Sequence, residues 1–276
     1  MTPSERSELA LRARAGDRAA LDALIVGLQD LVFRVALRFL RDREQARDAT
    51  QEILVLIMTK LSTFRAESSI DTWVYRVACR HLVRLRARGR KITFESMAEE
   101  DLARSANAID PATLASADAR MLEEEVFLAC TQAMLQALEP PARIAFVLGA
   151  LCELDSESAS HALGISEAAF KKRLSRARKA LDAFMRAHCG VANPNAACRC
   201  MNQVNHSVRK GRLDPRAVGR VPPPARTSLE TLRAHGEIDG VRRSLALYQA
   251  QPSPKTPDDL AQHIRAAIGA ARIFDA

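Results

Sequence analysis

Proline placement constrains this chain more than any other feature. Between Ser4 and Glu139 the only proline is Pro111, whereas eight of the twelve prolines follow Gly190. A proline inside a helix removes a backbone hydrogen bond and clashes with the turn before it, so its scarcity lets the first two thirds run as helix almost throughout. No strand-like alternation of β-branched residues between hairpin turns interrupts that stretch, and no internal repeat is visible. The expected class is all-α. A chain of 276 residues has room for roughly two or three small domains, each with its own core.

Helical periodicity then places the elements. Asp17 stands where it can cap a helix whose inner stripe is Leu21, Leu24, Leu28, Leu31, Val32, Val35 and Phe39. Asp42 and Gln45 have capping-box spacing for a second helix, with Ala46, Ala49, Ile53, Leu54, Ile57 and Leu61 inward. A third starts at Ser69 or Asp71 and lines its inner side with Val74, Val77, Ala78, Leu82 and Leu85. From Thr93 to Ala119 the chain is rich in Ala, Ser and acids and poor in large apolar residues, as expected of a linker. After Met121, Val126, Ala129, Cys130, Ala133, Ala137 and Leu138 are expected to form one apolar face, and Pro141 suits a helix start.

The stretch from Asp155 to Lys179 is the most informative. A short helix with Ala159, Ala162 and Leu163 inward meets Gly164, which can take the positive φ that closes it. Ser166 caps the next helix, whose stripe is Phe170, Leu174, Ala177, Leu181 and Phe184. That is the pattern of a helix-turn-helix, in which the second helix enters the DNA major groove. Its opposite face carries Lys171, Lys172, Ser175, Arg176 and Lys179, suited to phosphate, although a basic face alone is often only a solvated surface.

The formal net charge of +8 is concentrated in segments and points to a polyanionic partner, with nucleic acid first. Between Arg65 and Lys91 stand eight cations, Arg65, Arg76, Arg80, Arg84, Arg86, Arg88, Arg90 and Lys91, against two acids, Glu67 and Asp71. Trp73 and Tyr75 among them could stack on unpaired bases, although Trp73 as a buried anchor is the commoner use of such a residue. No apolar run is long enough to span a bilayer, and Met1 to Ala15 is charged where a signal peptide is apolar, so a cytoplasmic protein with no membrane contact is expected. With no phosphate-binding glycine loop, no H-E-x-x-H and no nucleophile arrangement, the chain is not expected to be an enzyme.

Four phrases carry a family resemblance. ARDATQEILVLIMTKLSTFR, from Ala46 to Arg65, resembles the AxDxxQExF…L…F(R) signature of the polymerase-binding helix in extracytoplasmic-function (ECF) sigma factors of bacterial RNA polymerase. ARAGDRAALDAL from Ala13, LEPPARIAFVLGALCELDSESASHALG from Leu138 and GISEAAFKKRLSRARK from Gly164 are similar to that family's opening, region 4 and helix-turn-helix phrases. The resemblance implies a specificity subunit with a minus-ten-binding helical bundle over 8–91, an acidic linker over 92–119, a minus-thirty-five-binding helix-turn-helix domain over 120–186 and a partly helical extension over 187–276. It implies that Asp48, Gln51 and Glu52 contact core RNA polymerase, and that Phe64 to Asp71 and the helix after it melt promoter DNA, with Arg65, Trp73, Arg76, Arg80 and Arg84 as contacts. An anti-sigma factor is a further candidate partner. Against the usual WLYRIARNLxxDxxR, Arg80 stands where asparagine is usual and Arg84 where aspartate is usual, adding charge while removing an amide that would read a base edge. The alternative is a free-standing helix-turn-helix regulator that senses metal or redox state.

No cofactor is required for that role. Cys79, Cys130 and Cys152 lie in helix-like sequence and are expected to be buried as small apolar residues. In the extension, His188, Cys189, Cys198 and Cys200 span a GVANPN turn and could hold zinc or another soft metal, serve as redox thiols, or carry no ligand. Beyond them, Pro222 to Pro224, a broken pattern at Val241, Leu245 and Tyr248, and a helix capped at Thr256 with Leu260, Ile264, Ala267 and Ile268 aligned suggest a small regulatory module docked on the rest.

Overall fold

The computed structural model describes residues 1–40, 42–86, 92–105, 117–209 and Leu260. The expectations for Arg88, Arg90, Lys91, Pro111, the triple proline, Val241, Leu245, Tyr248 and the Thr256 helix other than Leu260 lie outside the described residues. Among those described there is no strand. The helices are α1 Pro3–Arg14, α2 Arg18–Leu40, α3 Arg43–Lys60, α4 Ile70–Arg86, α5 Phe94–Ser105, α6 Ala117–Ala137, α7 Pro140–Phe146, α8 Ser156–Leu163, α9 Glu167–His188 and α10 Cys200–Arg209. One π-helical turn, Val147–Leu151, follows α7.

They form two compact units that do not follow the sequence segments. The first holds α1 to α4, α7, α8 and the start of α9 up to Leu174; the second holds α5, α6, the rest of α9 and α10. In the first unit, α2 packs on α1, α3 and α4, and α4 also packs on α7 and α8. Its core takes in the expected stripes, with Leu24, Leu28, Val35 and Phe39 of α2, Ile53, Leu54 and Ile57 of α3, and Val74, Ala78 and Leu82 of α4 all fully buried. Each such side chain other than Ala78 contributes about 1.5–3 kcal/mol by leaving water. Leu260 is buried in the same core.

The helix starts follow from side-chain caps. Asp17 Oδ1 accepts from the Ala20 N–H at 2.9 Å and Asp42 Oδ1 from the Gln45 N–H at 2.9 Å. Ser69, not Asp71, caps α4, its Oγ accepting from the Thr72 N–H at 3.2 Å. Asp71 is engaged elsewhere: Arg6 Nε donates to its Oδ1 at 2.7 Å and Arg6 Nη2 to its Oδ2, a bidentate pair that fastens α1 to α4.

Three expectations give way to the structure. Leu85, in the last turn of α4, is exposed, whereas Leu82 one turn earlier is fully buried, so the inner stripe ends there among the described residues. On α6, Ala129 faces water while Leu122, Val126, Phe127, Met134, Leu135 and Leu138 are buried, since the helix rolls to bury its large side chains and an alanine has little area to gain. Phe94–Ser105 is a helix rather than a bare tether: Thr93 and Ser96 cap it reciprocally, and Phe94 lies 5.0 Å from the Phe184 ring. In the second unit α10 packs on α6 and α5.

Two outcomes are expected in urea denaturation. Arg6→Ala removes a charge-assisted bidentate pair and should lower stability by about 1.5–3 kcal/mol. Asp155, the α8 cap, has its carboxyl held below the usual range by the Ser158 N–H it accepts from. A depressed folded pKa means that its contribution is present above about pH 4 and is lost as pH falls through the folded value; Asp155→Asn should keep the cap and remove that share of the acid sensitivity.

Candidate polymerase and nucleic-acid interfaces

Burial of the α3 stripe rolls the opposite side of that helix to water. Asp48 and Glu52, one turn apart, are exposed, and Gln51 beside them is half-buried. Glu52 Oε2 lies 2.9 Å from His81 Nε2 of α4, yet that nitrogen has no hydrogen bond of acceptable direction, so the contact is one of proximity rather than a formed bond.

The cations after α3 fall into two groups. Arg65, Arg80 and Arg84 are exposed, whereas Arg76 is half-buried and donates from Nε and Nη2 to the His161 carbonyl at 3.0 and 2.6 Å. That oxygen belongs to the last turn of α8, where the helix dipole favours a cation. Lys60, Trp73, Arg76, Arg80, His81 and Arg84 line a recess of about 170 Å³, large enough for a planar group and walled by charge. Trp73 both packs on the core, its ring 5.8 Å from Phe64, and borders the recess, so the anchor and platform readings are not exclusive. Tyr75 packs against the core instead, and burial pushes its hydroxyl well above the usual tyrosine range. In the loop before α4, Ala66 has φ 56°, a left-handed conformation that costs a residue with a Cβ about 1–2 kcal/mol.

The helix-turn-helix forms as the sequence indicates. Gly164, at φ 66°, ends α8; its N–H donates to the His161 carbonyl and the Ile165 N–H to the Ser160 carbonyl at 3.1 Å, closing a Schellman motif. Ser166 Oγ accepts from the Ala169 N–H at 3.2 Å and starts α9. Along α9, Phe170, Ala177, Leu181 and Phe184 are buried and Leu174 is half-buried; Lys171, Lys172, Ser175, Arg176 and Lys179 are all exposed. Lys171 is partly offset by Glu167 at 3.0 Å.

The tail residues do not gather as a tetrahedral set. His188 lies against the Phe184 ring at 4.7 Å, and among the described residues no group of three or more His, Cys, Asp or Glu side chains is arranged to hold a metal ion. Instead Cys189 and Cys198 pair through an isolated parallel β-bridge, and burial raises the Cys200 thiol well above the usual range, with Cys189, Cys130 and Cys198 adding to it. Cys130 of α6 therefore lies near Cys200, a proximity that helical spacing alone does not indicate. Cys79 and Cys152 have thiols raised by burial, as expected of packed, inert side chains. His81 and Lys60 of the recess were also not singled out by the sequence, because periodicity assigns them only to a polar face.

Two family models and several known proteins match parts of the chain. The family described as Sigma-70 region 2 matches residues 24–92, and Sigma-70, region 4 matches residues 128–181. The RNA polymerase sigma-H factor of Pseudomonas aeruginosa is 28% identical over 186 residues, 66% of this chain and 94% of that protein. The ECF RNA polymerase sigma factor SigE of Mycolicibacterium smegmatis is 25% identical over 176 residues, 63% of this chain and 65% of that protein. A solved structure of CnrH in complex with the cytosolic domain of CnrY aligns with TM-score 0.47 and 22% identity, over 66% of this chain and 97% of that one. The chain belongs to the sigma-70 family, as an ECF-type sigma factor, and its role is promoter-specific initiation by RNA polymerase.

The recess gives one expected outcome. Arg84→Ala removes an exposed wall cation without touching the core, and should weaken binding to a single strand of any sequence while lowering the salt dependence by about one counterion, as titration at several salt concentrations would show.

Proposed function

We propose that α3 docks on core polymerase through Asp48, Gln51 and Glu52, that Arg65, Trp73, Arg80 and Arg84 engage the minus-ten element, and that α9 reads the minus-thirty-five element through Lys171, Lys172, Ser175, Arg176 and Lys179. The observation that carries this reading is the α9 face: five residues chosen from sequence all stand in water on the helix that follows a Gly164 turn. The chain then acts as a non-catalytic specificity subunit. Its place of work is the cytoplasm, where promoter DNA is; no helix among the described residues is long and apolar enough to cross a membrane. An anti-sigma factor that competes with polymerase would have to cover the α3 face.

Arg76 adds a condition. Two of its five N–H donors, on Nε and Nη2, are taken by the His161 carbonyl, which leaves the Nη1 pair as its means of reaching a phosphate while α4 and α8 stay packed. The tail is read as a thiol-based regulatory element rather than a metal receptor, because a backbone bridge sets Cys189 and Cys198 side by side while His188 lies against Phe184. A free-standing helix-turn-helix regulator would have no use for the region 2 bundle or the Asp48 face.

Asp48→Ala with Gln51→Ala should weaken capture by core polymerase without loss of helical circular dichroism; undiminished capture counts against the docking assignment. Arg176→Ala should cost about 1–3 kcal/mol at one upstream base position and relax preference there, whereas Lys179→Ala should weaken all sequences alike. Equal, uniform losses from both would overturn the base-reading role of Arg176.

A further inference from the structure

The turn that joins α9 to α10 brings two cysteines into register. We propose that Cys189 and Cys198 form an intramolecular disulfide on exposure to a peroxide, making this turn a reversible oxidation site. The inference rests on the thiol reading of the tail and names its chemistry.

Cys189 follows the last residue of α9, and Cys198 lies beside it as its β-bridge partner, with the Gly190 N–H donating to the Cys198 carbonyl at 2.9 Å. Bridge partners sit about 5 Å apart at their α-carbons and send their side chains to the same side, within the span of about 4.4–6.8 Å that a disulfide bridges. Only glycine permits this approach: a Cβ at Gly190 would stand 2.4 Å from the Cys198 carbonyl oxygen and 2.1 Å from Arg199 Nη1. The rest of the turn is already ordered. The Asn193 N–H donates to the Cys189 carbonyl at 2.8 Å, Asn193 Nδ2 to the Arg186 carbonyl at 2.8 Å, and Arg199 Nη2 to the Pro194 carbonyl at 2.6 Å. Little chain entropy is left to lose when the sulfurs join.

Cys189 and Cys198 are half-buried and Gln203 Nε2 offers a donor to Cys198 Sγ at 3.5 Å, a setting that suits a thiolate. Cys200, by contrast, is buried at the start of α10 with its thiol held protonated, so it is the poorer nucleophile although it is only two residues from Cys198. In the first step one thiolate attacks the O–O bond of the hydroperoxide, which leaves a sulfenic acid and releases an alcohol, or water from hydrogen peroxide. The second thiolate then attacks the sulfenic sulfur; the S–S bond forms, the S–O bond breaks and water leaves. Two sulfurs give up two electrons and the peroxide takes them, and a dithiol reductant reverses the bond by exchange.

Trypsin makes the test clean. Cleavage after Arg186 and Arg199 places both cysteines in the peptide Ala187–Arg199 and leaves Cys200 on the next one. The full chain is treated with hydrogen peroxide, denatured, alkylated, digested and weighed. The expected product is the 187–199 peptide lighter by two hydrogens and unalkylated, beside an alkylated Cys200 peptide. Dithiothreitol should restore its alkylation, Cys198→Ser should abolish the product, and Gly190→Ala, which keeps every thiol, should sharply reduce it. Full alkylation of both cysteines, a cross-link from either to the Cys200 or Cys130 peptide, or an equal rate in the urea-unfolded chain would overturn the proposal. None of these readouts depends on polymerase or promoter binding, so failure here is distinct from failure of the sigma-factor assignments.

Discussion

Water does not leave the leucine and isoleucine stripes of α2, α3 and α4 exposed, and burying them against one another fixes the roll of each helix about its axis. With Leu54 and Ile57 of α3 inward, Asp48 and Glu52 have only the outer side to occupy. With Ala78 and Leu82 of α4 inward, Arg80 and Arg84 are turned out in the same way. The interfaces are thus by-products of the core: a stripe that stabilises by several kcal/mol holds in place polar side chains that contribute little stability of their own. The same logic governs α9, where Phe170 and Leu181 set the direction in which Lys172 and Arg176 point.

Arg76 shows the tension that arises when an interface residue finds a partner within the chain. Two of its N–H groups meet a carbonyl in the last turn of α8, in a half-buried setting where such bonds are worth on the order of 1–3 kcal/mol. A contact of that size adds to the α4–α8 pairing, which also rests on the burial of Ala159 and Ala162 in the shared core. The guanidinium keeps unused donors on its outer side, so the same residue can fasten the fold and still face an anion.

The helices, their caps and the two polar faces could be read from sequence because each depends on local spacing: Asp17, Asp42 and Asp155 start helices through their own side chains, and Gly164 closes one because it tolerates φ 66°. What could not be read depends on which neighbour lies opposite. Ala129 and Phe127 of α6 compete for the core by area, and spacing alone does not choose between them. Leu85 continues a correct periodicity to the end of α4, where it stands exposed. The proximity of Cys130 to Cys200 joins residues about seventy positions apart, and the pairing of Cys189 with Cys198 depends on backbone register across a turn. Sequence proximity groups His188 with those thiols, yet the α9 helix carries its ring to Phe184.

Initiation by polymerase is the activity that every interface of the chain serves. Run-off transcription with core RNA polymerase and a promoter library, with and without the chain, is its most direct measurement. Chain-dependent transcripts should appear from a limited set of promoters that share a pair of elements at fixed spacing. A folded chain that supports no transcript from any promoter, while the same core is active with another sigma factor, would contradict it.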